Sequence, residues 1–544
     1  MIKQGSNDAA SVVEAPNPWG QVVETRSSPL PLLIWVRTRQ AGRGRRTFAA
    51  KPQTQGLNFC FMTRLNSTVW CRRTALAAAA VLAVLAAAAA PRTPKPTKTA
   101  LATVNADRVD SLALRKIFDE ALLRGESYDN LRYLTGTIGP RLSGSPQAQQ
   151  AVEWGKTTME KAGFDRVYLQ EVMVPHWVRG GKERGEIVGN KDKGIKVPVC
   201  ALGGSVGTGG KLKAGVVEVH SFEELKKLPD AAVKGKFIFY NRPFNDALIE
   251  PGLAYGGAVD QRALGAIEAA KRGAIGSLVR SMTSSRDDNP HTGTMRYADG
   301  VAKVPGAALS TNAADQLSQL LKANAELQFE LEMECTTLPD EKSYNVVGEI
   351  KGSKFPQEII TVGGHLDSWD LAQGAHDDGT GVVQSMEALR LLRVAGFRPE
   401  RTVRAVLFMN EENGTRGGNE YARLAQQNKE THVAAIESDG GGFTPRGFNV
   451  EADPATVAKL AKWAPLLKPY HAADITVGHA GTDIEPLQAA VHPKALIGYD
   501  CDSQRYFDIH HTAADTFDKV NRRELELGGA SMASLIYLLS KYGL

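Results

Sequence analysis

From about residue 336 onward, short apolar runs alternate with amphipathic stretches. Glu358–Val362, Val403–Met409, Val433–Ile436 and Ala495–Ile497 have the length and composition of buried strands. Between and after them, Gly381–Val394, Gly418–Gln426, Ala455–Leu467 and Leu525–Leu539 carry helical periodicity, with Val382, Met386, Leu389 and Leu392 on one face of the first. This alternation predicts an α/β fold, a mostly parallel sheet with helices on both faces. Upstream, Asp107–Arg124 reads as a helix with Val109, Leu112, Ile117 and Leu122 as its apolar positions. Ile138–Pro146 (IGPRLSGSP) reads as a loop, Gln147–Ala162 as a helix and Val167–Val174 as a strand. From about Lys191 to Cys335 the texture changes to a Gly-rich αβ module. Its strands are Val216–His220, Lys236–Tyr240 and Ala274–Val279, and its helices Phe222–Lys227 and Ala263–Lys271. No catalytic cluster falls inside it.

The 544 residues exceed what one core organises. At 42% hydrophobic and 23% charged residues, the bulk reads as globular. Charge is uneven. Residues 1–100 hold 14 Lys and Arg against 3 Asp and Glu, a surplus of +11 that leaves the rest of the chain at −6. A mildly acidic body lacks the basic field that nucleic acid requires. Arg64, Arg72 and Arg73 precede the apolar run Ala75–Ala90, which is followed by the Pro-rich Pro91–Pro96. That order reads as a secretory signal starting near Met62 and cleaved as late as Ala102, with an uncleaved anchor helix as the alternative. It implies export to the periplasm or medium and no stable membrane anchor after cleavage. Cys71 precedes the apolar run and is not placed for lipid attachment. Residues 1–61 show no periodicity and read as an upstream extension. The expected organisation is 1–61 extension, 62–102 signal and linker, 103–190 and 336–544 two parts of one catalytic domain, and 191–335 an insert. Past the signal only Cys200, Cys335 and Cys501 remain, which permits at most one disulfide and no cysteine zinc site.

The chemistry follows the strands. Ligand crevices of open α/β sheets lie at the carboxyl ends of the strands. Each predicted strand here runs into a polar cluster: Gly363–Ser368 with Gly374–Gly379, then Asn410–Gly414, then Glu437–Gly441. A fourth cluster is His510–Thr516. Neutral imidazole and carboxylate suit zinc, and one carboxylate can bridge two metals about 3.5–4 Å apart. A lone loop His is ordinarily solvated, and adjacent Glu411 and Glu412 would ordinarily form a solvated turn. Four clusters in register on strand ends favour a cation instead, because paired buried carboxylates repel unless compensated. Asp515, four residues beyond His511, is placed to support it.

The runs GGHLDSWDLAQGAHDDGTG (363–381), NEENG (410–414), ESDGG (437–441) and HHTAADT (510–516) resemble the dinuclear-zinc metallopeptidase family of aminopeptidases and glutamate carboxypeptidases. YNRPF (240–244), residues 266–282 and GTDIEPL (481–487) extend the resemblance over about residues 107–544. It implies two zinc ions per chain, held by His365, Asp377 as bridge, Glu412, Asp439 and His511. It implies Glu411 as general base, Asp367 as the acid behind His365, and a cis Asp377–Asp378 bond. The 191–335 insert would be a protease-associated-like domain that covers the cleft or supports a homodimer. His510 stands where a related branch has a tyrosine that assists the oxyanion. Thr512-Ala513-Ala514 departs from the run in part of the family, which touches the pocket wall and not the ligands. The implied activity is hydrolysis of dipeptides or short peptides as a metallodipeptidase or carboxypeptidase. The alternatives are an aminopeptidase on longer peptides and a non-catalytic binding module on the same fold. A serine hydrolase is disfavoured, since no Gly-x-Ser-x-Gly elbow follows a strand.

Overall fold

A computed structural model of the chain describes residues 98–189 and 194–544, with side chains from Asp107 onward. The described residues from Ala102 to Leu544 form one compact unit. Ahead of it, only the opening of the helix Lys98–Arg124 is described. The segment 1–61, Met62, Cys71 and the apolar run Ala75–Ala90 lie outside the described residues. Among the described residues, no helix is long and apolar enough to cross a membrane.

This unit contains two eight-stranded sheets. The strands of the first are β1 (Arg166–Val178), β2 (Thr336–Ile350), β3 (Phe355–His365), β4 (Arg401–Phe408), β5 (Thr431–Glu437), β6 (Pro445–Glu451), β7 (Asp474–Val477) and β8 (Ala495–Cys501). They are ordered β1-β2-β4-β3-β5-β8-β6-β7. The centre β4, β3, β5 and β8 is parallel, whereas β1, β2 and β6 pair antiparallel at the flanks. Parallel strands need both faces covered, and the alternation of side chains shows how this is met. Val403, Ala405 and Leu407 of β4 face a core built with α1 (Pro146–Lys161), α2 (Thr380–Val394) and α4 (Arg522–Tyr542). Val406 and Phe408 face the opposite core, with Tyr421 and Ala422 of α3 (Arg416–Gln427) and Leu487. The predicted face of α2 is buried, and so is every other residue from Thr380 to Leu392, because this helix is packed against both the sheet and α4.

Two expectations differ in detail, and one strand has no signature in the sequence. Of the apolar positions read in Asp107–Arg124, Val109 and Leu112 are 56% and 63% exposed. The buried stripe is instead Asp110, Ala113, Leu114, Ile117, Phe118 and Ala121, whose spacing follows one face for longer. Ala455–Leu467 is two pieces, Pro454–Ala461 and Ala464–Leu467. Pro465 lacks the amide that a continuous helix would need there. Strand β2 carries no expected alternation, because its first half is exposed on both faces as it pairs with β1.

The second sheet is ordered Ile195–Val197, Glu183–Val188, Gln328–Met333, Leu212–Val219, Phe237–Tyr240, Gly276–Arg280, Gly306–Leu309 and Val199–Ala201. It has its own core around Phe237, Phe239, Leu278 and Phe329. The sheet begins upstream of residue 191, since Glu183–Val188 pairs with Gln328–Met333. Its inward residues are Gly185 and Ile187, too little apolar surface to mark a strand among the charges of 182–186.

Candidate metal centre

Strands β3, β4 and β5 are parallel neighbours, with His365 opposite Phe408 and Gly363 opposite Glu437. Their carboxyl ends therefore lie together, and His365, Glu411, Glu412 and Asp439 emerge at one edge. His510 and His511 arrive from the loop after β8, behind the short helix Tyr506–Ile509.

Asp377 lies at the middle. Its Oδ1 is 3.2 Å from His365 Nε2, which is in turn 3.4 Å from Asp439 Oδ1. Its Oδ2 is 3.3 Å from His511 Nε2, which is 3.1 Å from Glu412 Oε2. The five residues thus divide into two pairs, His365 with Asp439 and His511 with Glu412, with one oxygen of Asp377 turned to each. Asp377 Oδ2 and Asp439 Oδ1 are buried without a hydrogen-bond partner. Each group presents one nitrogen and two carboxylate oxygens, a donor set that fits zinc. Asp377, His510 and His511 are also close enough to share a cation. His511 is favoured over its neighbour because its Nδ1 has an outer acceptor, Thr292 O at 3.3 Å, whereas His510 Nδ1 is buried without a partner. The His510 ring stacks on that of His511 at 3.5 Å, with its Nε2 3.6 Å from Asp377 Oδ2.

The electrostatics call for positive charge. Burial, then neighbouring carboxylates, pushes Glu412, Asp378, Glu437 and Asp483 well above the ordinary carboxylate range. Burial and the charges of Asp439, Asp377 and Asp367 push Glu411 up to about 8. Asp377 goes the other way. Burial raises it, but the bond from His365 and the charges of His511 and His510 hold it below its usual value. Burial lowers His365, but Asp377 and Asp439 together raise it well above 6.5. The Glu411 carboxylate makes no hydrogen bond among the described residues, while its amide donates to Asp367 Oδ1 at 3.1 Å.

Two supporting acids do something other than expected. His365 Nδ1 lies 3.0 Å from the backbone oxygen of Asp367 and 4.0 Å from its carboxylate. That carboxylate accepts instead from the amides of Asn410, at 2.6 Å, and Glu411. Asp515 accepts from the amides of His376, at 2.8 Å, and Asp377, at 3.1 Å, and not from His511. In both cases a carboxylate fixes a turn of backbone, because free amides at a strand end or loop compete for it. The Asp377–Asp378 peptide is cis.

Other contributors were given no role from the sequence. Asp378 accepts from the amides of His365 at 3.0 Å and Gly381 at 2.9 Å. The fully buried Arg141, in the 138–146 loop, donates to the carbonyls of Leu366, Gln373 and Gly374 at 2.6–3.0 Å. It ties down the loop that joins His365 to Asp377. Its only signal was a guanidinium inside a Gly, Pro and Ser run. Trp369 donates its amide to Glu412 Oε1 at 3.0 Å. Gly381 is required by proximity, since a Cβ there would lie 1.9 Å from Ser438 O and 2.4 Å from both Asp378 carboxylate oxygens. A backbone carbonyl cannot yield as a side chain does. Gly381→Ala is expected to cost about 1–3 kcal/mol through overpacking and to lower zinc content as the Asp439 loop is displaced. Thermal melts and metal analysis check this, and a variant matching the parent in both would show that the loop gives way.

Residues 345–536 match the model for peptidase family M28. The chain is 36% identical over 419 residues to human carboxypeptidase Q, covering 77% of this chain and 86% of the relative. Against carboxypeptidase Q of Xenopus laevis the identity is 38% over 394 residues, with 72% and 81% covered. The crystal structure of a peptidase M28 precursor from Shewanella amazonensis superposes with a TM-score of 0.75 at 32% identity, covering 80% of this chain and 97% of that one. A zinc aminopeptidase from Bacillus subtilis shares the fold at 18% identity, with a TM-score of 0.56 and coverage of 76% and 94%. The chain belongs to peptidase family M28 and is a metallo-exopeptidase of that family.

Proposed function

We propose that the chain hydrolyses dipeptides or short peptides, as a carboxypeptidase Q-like metallodipeptidase or carboxypeptidase, with two zinc ions and Glu411 as general base. The observation that carries this reading is Asp377, whose two oxygens face two separate His–carboxylate pairs. One ion would be held by His365, Asp439 and Asp377, the other by His511, Glu412 and Asp377. Bound zinc would polarise the scissile carbonyl and lower the pKa of the attacking water.

The chain's own residues do the rest. Glu411 interacts with the charges of His365, Asp439 and Asp377 and its carboxylate makes no hydrogen bond among the described residues, so it is available to take the proton of the attacking water and pass it to the leaving amine. Asp367 holds the backbone of Asn410 and Glu411, which keeps that carboxylate on station. His365 and His511 keep their Nε2 atoms toward Asp377 because carbonyls occupy their other nitrogens. His510, beside the centre, is a candidate to assist the oxyanion. A small cleft borders Trp369, Asp377, Glu412 and His511.

The basic-apolar-small order of residues 62–102 supports export to the periplasm or medium, and a homodimer is the candidate assembly. The reading is tested with zinc-loaded protein on Ala-Ala, longer peptides and N-blocked peptides. Turnover of Ala-Ala, abolished by a chelator and restored by zinc, is expected. Activity confined to long peptides with a free amino end would replace it with an aminopeptidase.

A further inference from the structure

The two halves of the centre are supported differently. His365 and Asp439 are held by the first sheet and its loops, and among the described residues no hydrogen bond joins either to the second-sheet module. His511 and Glu412 are held from across the boundary. Thr294 Oγ1 donates to the backbone oxygen of Glu412 at 2.5 Å. Thr292 N donates to the backbone oxygen of His511 at 2.9 Å, and Thr292 O lies 3.3 Å from His511 Nδ1. That carbonyl can only accept, so a proton on Nδ1 directed at it leaves the Nε2 lone pair toward Asp377 and Glu412, while Arg262 Nη1 lies 3.4 Å from the same Nδ1. Arg262, on the helix Val259–Lys271, donates to the same carbonyl at 3.4 Å and to Tyr255 Oη at 2.6 Å.

The segment carrying these groups is itself pinned. Gly203 N donates to Gly293 O at 3.0 Å, and Met295 N to Gly203 O at 2.9 Å. Thr292 Oγ1 donates to Ala201 O at 2.8 Å, a carbonyl that Arg179 also reaches at 2.7 Å while pairing with Asp370 at 2.6 Å. Trp369, whose amide holds Glu412, lies against Gly203, where a Cβ would come within 1.8 Å of the indole. Gly293 has φ +125°, and a Cβ there would strike Arg262 Nη1 at 2.3 Å and His511 Nδ1 at 2.8 Å. The close approach of the segment to the centre therefore depends on glycine at both positions.

We infer that the second-sheet module completes one of the two cation sites, with Thr292, Thr294 and Arg262 as positioning residues for His511 and Glu412. This rests on the two-cation reading above. The site at His365 and Asp439 is formed by the first sheet alone, and the other only when the module is docked. The module is thus part of the metal-binding apparatus as well as a cover.

The test is zinc titration of the full chain by calorimetry, independent of turnover. Thr294→Val keeps the shape and removes the donor, and Thr294→Ser keeps the donor. Each is combined with His365→Ala, which leaves the His511–Glu412 site, and with Glu412→Ala, which leaves the His365–Asp439 site. The expected result is affinity about 10–100-fold weaker for Thr294→Val in the His365→Ala background, as for other outer supports of metal ligands. No change is expected in the Glu412→Ala background, and Thr294→Ser restores the parent value. Equal loss in both backgrounds, or none in either, overturns the inference. A parent chain that binds a single ion removes the two-cation reading itself. Should Thr294→Val not fold, Arg262→Met carries the same comparison, and the same selective loss or its absence decides.

Discussion

Glu411→Gln is expected to retain its zinc and to lose about 10²–10⁴-fold in turnover, the range a positioned general base supplies. Gln has the shape of Glu without a basic oxygen. The Glu411 carboxylate makes no hydrogen bond among the described residues, so the change breaks no network. It also removes one of several mutually repelling buried carboxylates, Asp367, Asp377 and Asp439 among its neighbours. Stability of the metal-free protein is therefore expected to hold or rise. Metal analysis, thermal melts and kcat on a dipeptide report the three quantities separately. An unchanged rate would take Glu411 out of its role, whereas loss of zinc would show it to be a ligand.

Asp377→Asn has the wider effect, with zinc binding and activity lost together. Only one atom of an Asn side chain can face a cation as an oxygen, and its amide nitrogen would point a donor at the other pair. One His–carboxylate pair would keep a neutral amide oxygen in place of the carboxylate oxygen, and the other would be left with a single oxygen donor and face an N–H. Outer-shell changes alone cost about 10–100-fold in metal affinity, and loss of a shared ligand should exceed that at both sites. The measurement is zinc per chain after dialysis, alongside dipeptide turnover. Full zinc content in this variant would contradict the bridge.

Much of the catalytic sheet was legible in local sequence. The runs at 403–409 and 433–436 are apolar because parallel central strands are covered on both sides, and they end where polar loops begin. The polar clusters that follow them were visible for the same reason. What was hidden is instructive in particular residues. Strand β2 is long but exposed along its first half, so it has no apolar signature. Thr292 meets His511 through its backbone carbonyl and amide, groups that almost any residue offers, and Thr294 meets Glu412 through a single hydroxyl. Arg141 makes its contacts with carbonyls more than 220 residues away, and only folding brings them there.

The amino-acid order by itself determined the alternation of strands and helices and the set of acidic and imidazole side chains at the strand ends, since periodicity and turn chemistry act over a few neighbouring residues. Only the tertiary structure decided how those side chains divide into two pairs around Asp377. It also decided that Asp367 and Asp515 serve backbone amides, and that a second sheet reaches into one half of the centre. Those outcomes depend on loop paths chosen by packing between segments distant in the chain, where differences of an ångström decide which oxygen meets which donor.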